Sequence, residues 1–181
     1  KQQILEQQNE QLELQVSERT RELQSEKQKS DNLLLNILPQ EVAEELKEKG
    51  ASKAQYYDEV SVLFTDFVNF TAIAQQLGVE ELLAELNTNF TAFDQIMEKH
   101  GLEKIKTIGD AYLAVSGLPV KNTDHALNAA AAALDILAFV AERKKQVPYG
   151  LDIRIGIHSG SLIAGIVGVK KFAFDIWGDT V

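Results

Sequence analysis

No glycine or proline occurs before Pro39. A stretch of that length without turn formers or helix breakers is expected to form one long helix. Two rows of residues repeat every seven positions along it. Leu5, Leu12, Arg19, Glu26 and Leu33 form one row, and Asn9, Val16, Leu23, Ser30 and Ile37 form the other, four residues on. Together they make a coiled-coil seam with six apolar and four polar positions. Polar seam residues fix register at a cost in stability, and they can bring two registers close in energy. Residues 1–38 are therefore expected to be a dimeric signalling helix.

Pro39 ends that helix, and Gln40 to Lys49 form a short amphipathic helix with Val42 and Leu46 on one face. Gly50 stops it. Residues 39–57 are expected to form a short helix and linker, and residues 58–181 a separate domain. That leaves one domain-sized core with an extension. The chain carries a net charge of −9, with 7 basic against 11 acidic residues in 1–50 and 11 against 16 in 51–181. An acidic chain without a basic stripe is a poor non-specific nucleic-acid binder. Cysteine is absent, which excludes disulfides and thiolate metal sites. No 18-residue apolar span or signal peptide is read; Ala129 to Ala141 is interrupted by Asp135. The expectation is a cytoplasmic domain whose parent protein is membrane-anchored or soluble.

Within the domain, Val60, Val62 and Phe64 alternate with Ser61, Leu63 and Thr65, reading as a strand that ends on Asp66. A helix begins near Thr71. A carboxylate at a strand end beside helix-start amides can hold a metal ion and a phosphate together. Some forty residues on, Leu102 to Ser116 reads as a hairpin around Gly109-Asp110. If the two strands are neighbours, Asp110 comes beside Asp66. Two such carboxylates repel, and a divalent cation removes that cost. Long helices are predicted over 79–100 and from about Asp124 to Gln146. After the second come strands at 151–158, through Gly168 and at 172–176. Leu82, Leu83, Leu86, Phe90, Phe93 and Met97 are expected to face the core. The order suggests an α+β sandwich with a βαββαβ core. Gly156, Gly165 and Gly168 suggest close backbone approach, read as a dimer interface. His100, His125 and His158 lack metal-ligand spacing.

Six pieces carry a resemblance to a known family. They are LLLNILP (33–39), FTDFVNFT (64–71), EKIKTIGDAY (103–112), IRIGIHSG (153–160), GIVG (165–168) and FDIWGDTV (174–181). In this order and spacing the chain resembles the catalytic domain of the class III nucleotidyl cyclases. The resemblance implies a ferredoxin-like βαββαβ fold and a homodimer whose sites are shared between chains. It also implies conversion of ATP to 3′,5′-cyclic AMP and pyrophosphate by two Mg²⁺ or Mn²⁺ ions. By the same resemblance, Asp66, Asp110 and the Phe67 carbonyl hold metal, and amides around Phe70 and Thr71 cradle phosphate. Lys106 and Asp175 fall where the family reads the purine. A lysine donates to adenine N1 and a carboxylate accepts from its 6-amino group, whereas guanylate cyclases carry Glu and Cys there.

The family often has glycine where this chain has Asn69, and asparagine tolerates positive φ. The family pattern continues past GDTV with an asparagine, an arginine and a later lysine. These fall beyond Val181, so a C-terminally incomplete domain of impaired activity is expected; Lys170 or Lys171 could aid the triphosphate, but neither lies where the arginine would be. Other readings stay open: a catalytically silent dimeric regulatory module, or a cyclase with guanylate activity. A diguanylate cyclase lacks its GG(D/E)EF signature here, and a kinase dimerisation helix lacks a histidine within 1–50. An upstream sensor in the parent chain is the expected input, and the resemblance implies that residues 39–57 act as a transducer helix and linker carrying it to a catalytic domain at 58–181.

Overall fold

A computed structural model describes residues 2–168 and 172–181, so Lys170 and Lys171 lie outside the described residues. The chain divides into two compact units, Lys1–Gly50 and Ala51–Val181. The first holds α1 (Gln2–Leu35) and α2 (Gln40–Lys49). Asp31 on α1 accepts from Lys47 on α2 at 2.6 Å. Gly50 closes α2 at φ 70°, where its amide reaches the Leu46 carbonyl. The seam side chains Leu12, Val16, Leu23, Leu33 and Ile37 are all exposed; the side chain of Leu5 lies outside the described residues.

The second unit runs β1 (Gln55–Val68), α3 (Phe70–Gln76), α4 (Val79–His100), β2 (Leu102–Ile108) and β3 (Ala111–Ser116). Then follow α5 (His125–Gln146), β4 (Asp152–Val167) and β5 (Ala173–Trp177). The strands form one antiparallel sheet in the order β2-β3-β1-β4-β5. This is the expected α+β arrangement, a ferredoxin-like βαββαβ core with β5 added at one edge. The core lies between the sheet and its helices. Leu63, Phe67, Tyr112 and Ala114 meet Phe93 and Met97 of α4 and the alanine-rich face of α5. Those small side chains let α5 lie close to the strands. Phe67, Phe90, Phe93 and Tyr112 stack with ring centroids 5.6–6.3 Å apart. By length and composition α5 could cross a membrane, but its Ala129, Ala132, Ile136 and Val140 are buried in this core.

Several expectations change. Asp66 does not end its strand, because β1 continues to Val68. The two strands read on either side of Gly160-Ser161 are one, β4; its ladder with β1 carries the backbone past Gly160 without a turn. On α4, Leu83 is exposed while Glu85 and Asn89 take buried positions. Arg143 on α5 makes that possible, pairing with Glu85 through two nitrogens at 2.7 and 3.2 Å. Gly165 does meet close backbone, but within the chain: a Cβ there would lie 2.9 Å from the Ala54 Cα. Gly156 faces open space. His100 pairs with Asp135 at the end of α4.

Candidate active site

Two clusters of charged residues form on the sheet. The first grows from the register of its central strands. Thr65 faces Tyr112 across β1 and β3, so two steps further on Phe67 comes level with Asp110. Asp110 occupies the β2–β3 turn, which Gly109 closes at φ 62°, a left-handed conformation that favours glycine. The Asp66 and Asp110 side chains come within hydrogen-bonding reach of each other. Burial holds the Asp110 carboxyl above the usual carboxylate range, and the bond and charge of Asp66 add to the effect. The amides of Asp110 and Phe67 pull the other way.

Arg154 was not foreseen as part of this cluster. It stands opposite Asp66 in the β1–β4 register, and its guanidinium donates to the Asp66 carboxylate. In the sequence it reads as the outward member of an Ile-Arg-Ile alternation, and only the pairing of distant strands gives it a partner. Its side chain is 69% exposed, so it can swing toward a bound anion. Phe70 and Thr71 open α3 directly after Asn69, which adopts φ 55°. The Phe70 ring stacks on Phe67 at 6.5 Å, so its side chain serves the core. Thr71 is exposed. First-turn amides have no partner within their own helix and so are available to an acceptor.

The residues present fit a hard divalent cation. Asp66 and Asp110 are paired carboxylates, Asp110 raised by burial and by the bond and charge of Asp66, and the Phe67 backbone lies beside them. Among the described residues no group of three or more acidic, histidine or cysteine side chains gathers. Mg²⁺ is commonly held this way, by one or two carboxylates with substrate phosphates and water completing its shell.

The second cluster joins the sheet's outer strands. β2 and β5 lie at opposite edges, yet the sheet curls until Lys106 Nζ on β2 donates to Asp175 Oδ2 on β5 at 2.5 Å. The other Asp175 oxygen accepts from the Ile176 amide at 2.9 Å. Asp175 is thus aimed by its own strand and paired with a lysine distant in sequence. Lys106 stands four residues before Asp110 on the same hairpin, roughly 13 Å away at ordinary strand rise.

Comparison with known proteins gives concordant results. The family described as "Adenylate and Guanylate cyclase catalytic domain" matches residues 52–181, and "Heme NO binding associated" matches 1–46. Guanylyl cyclase C of Cavia porcellus is 42% identical over 173 residues, 94% of this chain and 16% of that protein. Retinal guanylyl cyclase 1 of Bos taurus is 44% identical over 181 residues, 98% of this chain and 16% of that protein. The chain thus spans about a sixth of the length of these curated relatives. Among solved structures, the catalytic core of a rhodopsin-guanylyl cyclase with converted specificity, in complex with ATPαS, aligns with TM-score 0.68. It is 39% identical over 72% of this chain and 71% of its own.

Proposed function

Because the chain belongs to the adenylate and guanylate cyclase catalytic-domain family, we propose that it converts ATP to 3′,5′-cyclic AMP and pyrophosphate as a homodimer. The observation that carries the choice of ATP is the Lys106–Asp175 pair. An ammonium and a carboxylate side by side present a donor and an acceptor, the complement of adenine N1 and its 6-amino group. Guanine would set its N1–H against the ammonium and its O6 against the carboxylate. Each such mismatch costs roughly 1–3 kcal/mol in a desolvated pocket.

In this reading Asp66, Asp110 and the Phe67 carbonyl hold two Mg²⁺ or Mn²⁺ ions, which supply Lewis-acid activation of the ribose 3′-OH and a clamp on the triphosphate. The ribose 3′-OH gives its proton to solvent water as its oxygen bonds to the α-phosphorus, and the bond from that phosphorus to the bridging oxygen breaks, releasing pyrophosphate. Arg154 leaves Asp66 and turns its guanidinium to the triphosphate, an anion it can grip through paired N–H groups. The amides of Phe70 and Thr71 donate to phosphate oxygens. Lys106 and Asp175 orient the base. Residues 1–38 couple an upstream sensor to residues 58–181 through 39–57, with the exposed seam of α1 pairing two copies. The catalytic domain acts in the cytoplasm.

The names of the relatives favour a second reading, cyclisation of GTP. A comparison of kcat/KM for ATP and GTP in the full-length protein, with Mg²⁺ and with Mn²⁺, separates the two. A clear preference for ATP is expected; a preference for GTP overturns the assignment, and no product from either nucleotide identifies a silent regulatory module.

A further inference from the structure

Opposite Ser161 the β1–β4 ladder slips. Its register is continuous from Val68 opposite Asp152 to Val60 opposite Gly160, and it resumes with Tyr57 opposite Leu162. Asp58 and Glu59 therefore share Ser161 as their single counterpart, which makes a β-bulge. A bulge bends its strand and increases the local twist. On one side of the bend β4 pairs with the half of β1 that carries Asp66. On the other side it pairs with β5, which carries Asp175. The angle of the bend thus sets where β5 points, and with it whether Asp175 reaches Lys106 at the far edge of the sheet.

The bend is held by contacts outside the ladder. Ser61 lies just inside the bulge and is fully buried. Its Oγ is 2.8 Å from Nδ1 of His125, the first residue of α5, and 2.7 Å from the hydroxyl of Ser159 on β4. One hydroxyl has one proton to donate and lone pairs to accept, so Ser61 can satisfy both partners at once. Gly117, leaving β3 at φ 98°, is pressed into the same place. A Cβ there would lie 3.1 Å from the Glu59 carbonyl and 3.2 Å from the His125 Cβ. Lys121 reaches across to Asp58 at 2.9 Å. On the β4 side a Cβ at Gly160 would lie 2.6 Å from Thr180 Oγ1. That hydroxyl donates to the carbonyl of Ser161.

We propose that Ser61 and His125 are positioning residues for purine selection, their hydrogen bond holding the β1 bulge at the angle that brings Asp175 to Lys106. Neither touches the nucleotide. The proposal rests on the assignment of Lys106 and Asp175 as readers of the base, so its test needs a readout that does not depend on that assignment. Trp177 supplies one. It is the chain's single tryptophan, it lies on β5 two residues past Asp175, and its ring is exposed.

The test compares Ser61→Ala and His125→Leu with Ser61→Thr, which keeps the hydroxyl. Val140→Ala serves as the control, a cavity in the buried face of α5 away from the bulge. Acrylamide quenching of Trp177, measured without nucleotide, is expected to change in Ser61→Ala and His125→Leu. It should stay at the wild-type value in Ser61→Thr and Val140→Ala. In the full-length protein the first two variants should lower the ATP:GTP ratio of kcat/KM about tenfold while kcat for ATP stays within about twofold. Unchanged quenching in both variants overturns the proposal, whatever the nucleotide ratios. An equal fall in the ratio for Val140→Ala overturns it too, because general loosening would then suffice. Altered quenching with an unaltered ratio upholds the pin on β5 and instead overturns the base-reading assignment.

Discussion

At the turn end of the sheet two carboxylates face each other, one of them raised by burial and by its neighbour. Where the sheet's edges meet, a lysine and a carboxylate satisfy one another at 2.5 Å. The first cluster is electrostatically incomplete. Arg154 relieves Asp66 from an exposed position, and among the described residues no cationic side chain does the same for Asp110. The second cluster is complete before any ligand arrives, so a base must offer as good a pattern of donors and acceptors as the pair already has. Incompleteness suits a site that recruits cations and phosphate. Completeness suits one that discriminates, because a poorly matched base must break a pair that it cannot replace.

The largest effect expected from breaking this contrast is at the carboxylates. Asp66→Asn or Asp110→Asn should reduce turnover below detection while the protein stays folded and dimeric. Asp110→Asn should not lower the melting temperature, since it removes a repulsion. Turnover at saturating Mg²⁺ and sedimentation together check this, and near-native activity in either variant would remove the carboxylates from the metal site.

An ion pair with no part in either cluster gives the next scale. Glu85 is buried on α4 and paired with Arg143. Burial pushes its carboxyl up, but the bonds from Arg143 and Asn89 outweigh that and hold it below its ordinary value. Its contribution to stability is therefore present above the unfolded carboxylate pKa and lost as pH falls through the lowered folded one. Glu85→Ala should cost about 1–3 kcal/mol at neutral pH by removing its bonds from Arg143 and Asn89. That gap from wild type should narrow on acidification, and the ATP:GTP ratio should hold. Denaturant melts at pH 7 and pH 3 test the sign.

The Lys106–Asp175 pair comes next. Exchanging both members, Lys106→Glu with Asp175→Cys, should move preference from ATP toward GTP by roughly 1–3 kcal/mol per residue. An active double variant that keeps the wild-type ratio would show that these residues do not read the base.

The smallest effect lies in α1. Asn9→Leu with Arg19→Leu should raise dimer stability by a few degrees and alter basal activity by favouring one register. An unchanged melting temperature together with unchanged activity would reduce the helix to a passive tether.

Much of this architecture is local in origin and could be read locally. Gly50 and Gly101 stop α2 and α4 at positive φ. The Gly109-Asp110 turn joins β2 to β3, and Asn69 takes the left-handed conformation that its residue type tolerates. Arg154 was missed for a different reason. Alternation tells which side of a strand a residue occupies, but not which residue stands opposite on another strand. The same gap explains the division of β4 at Gly160, where a turn-like Gly-Ser pair is extended by its ladder with β1.

The sequence by itself determined the elements, the heptad seam, the family motifs and the residue types available for metal and base, because each depends on side chains within a few positions of one another. Only the tertiary structure decided which of them meet. It set Asp66 against both Asp110 and Arg154 through strand register, and it curled the sheet at the Asp58-Glu59 bulge until its two edges brought Lys106 to Asp175. Those meetings join residues 44 to 88 positions apart, and the pairings exist only once the whole sheet has closed over its core.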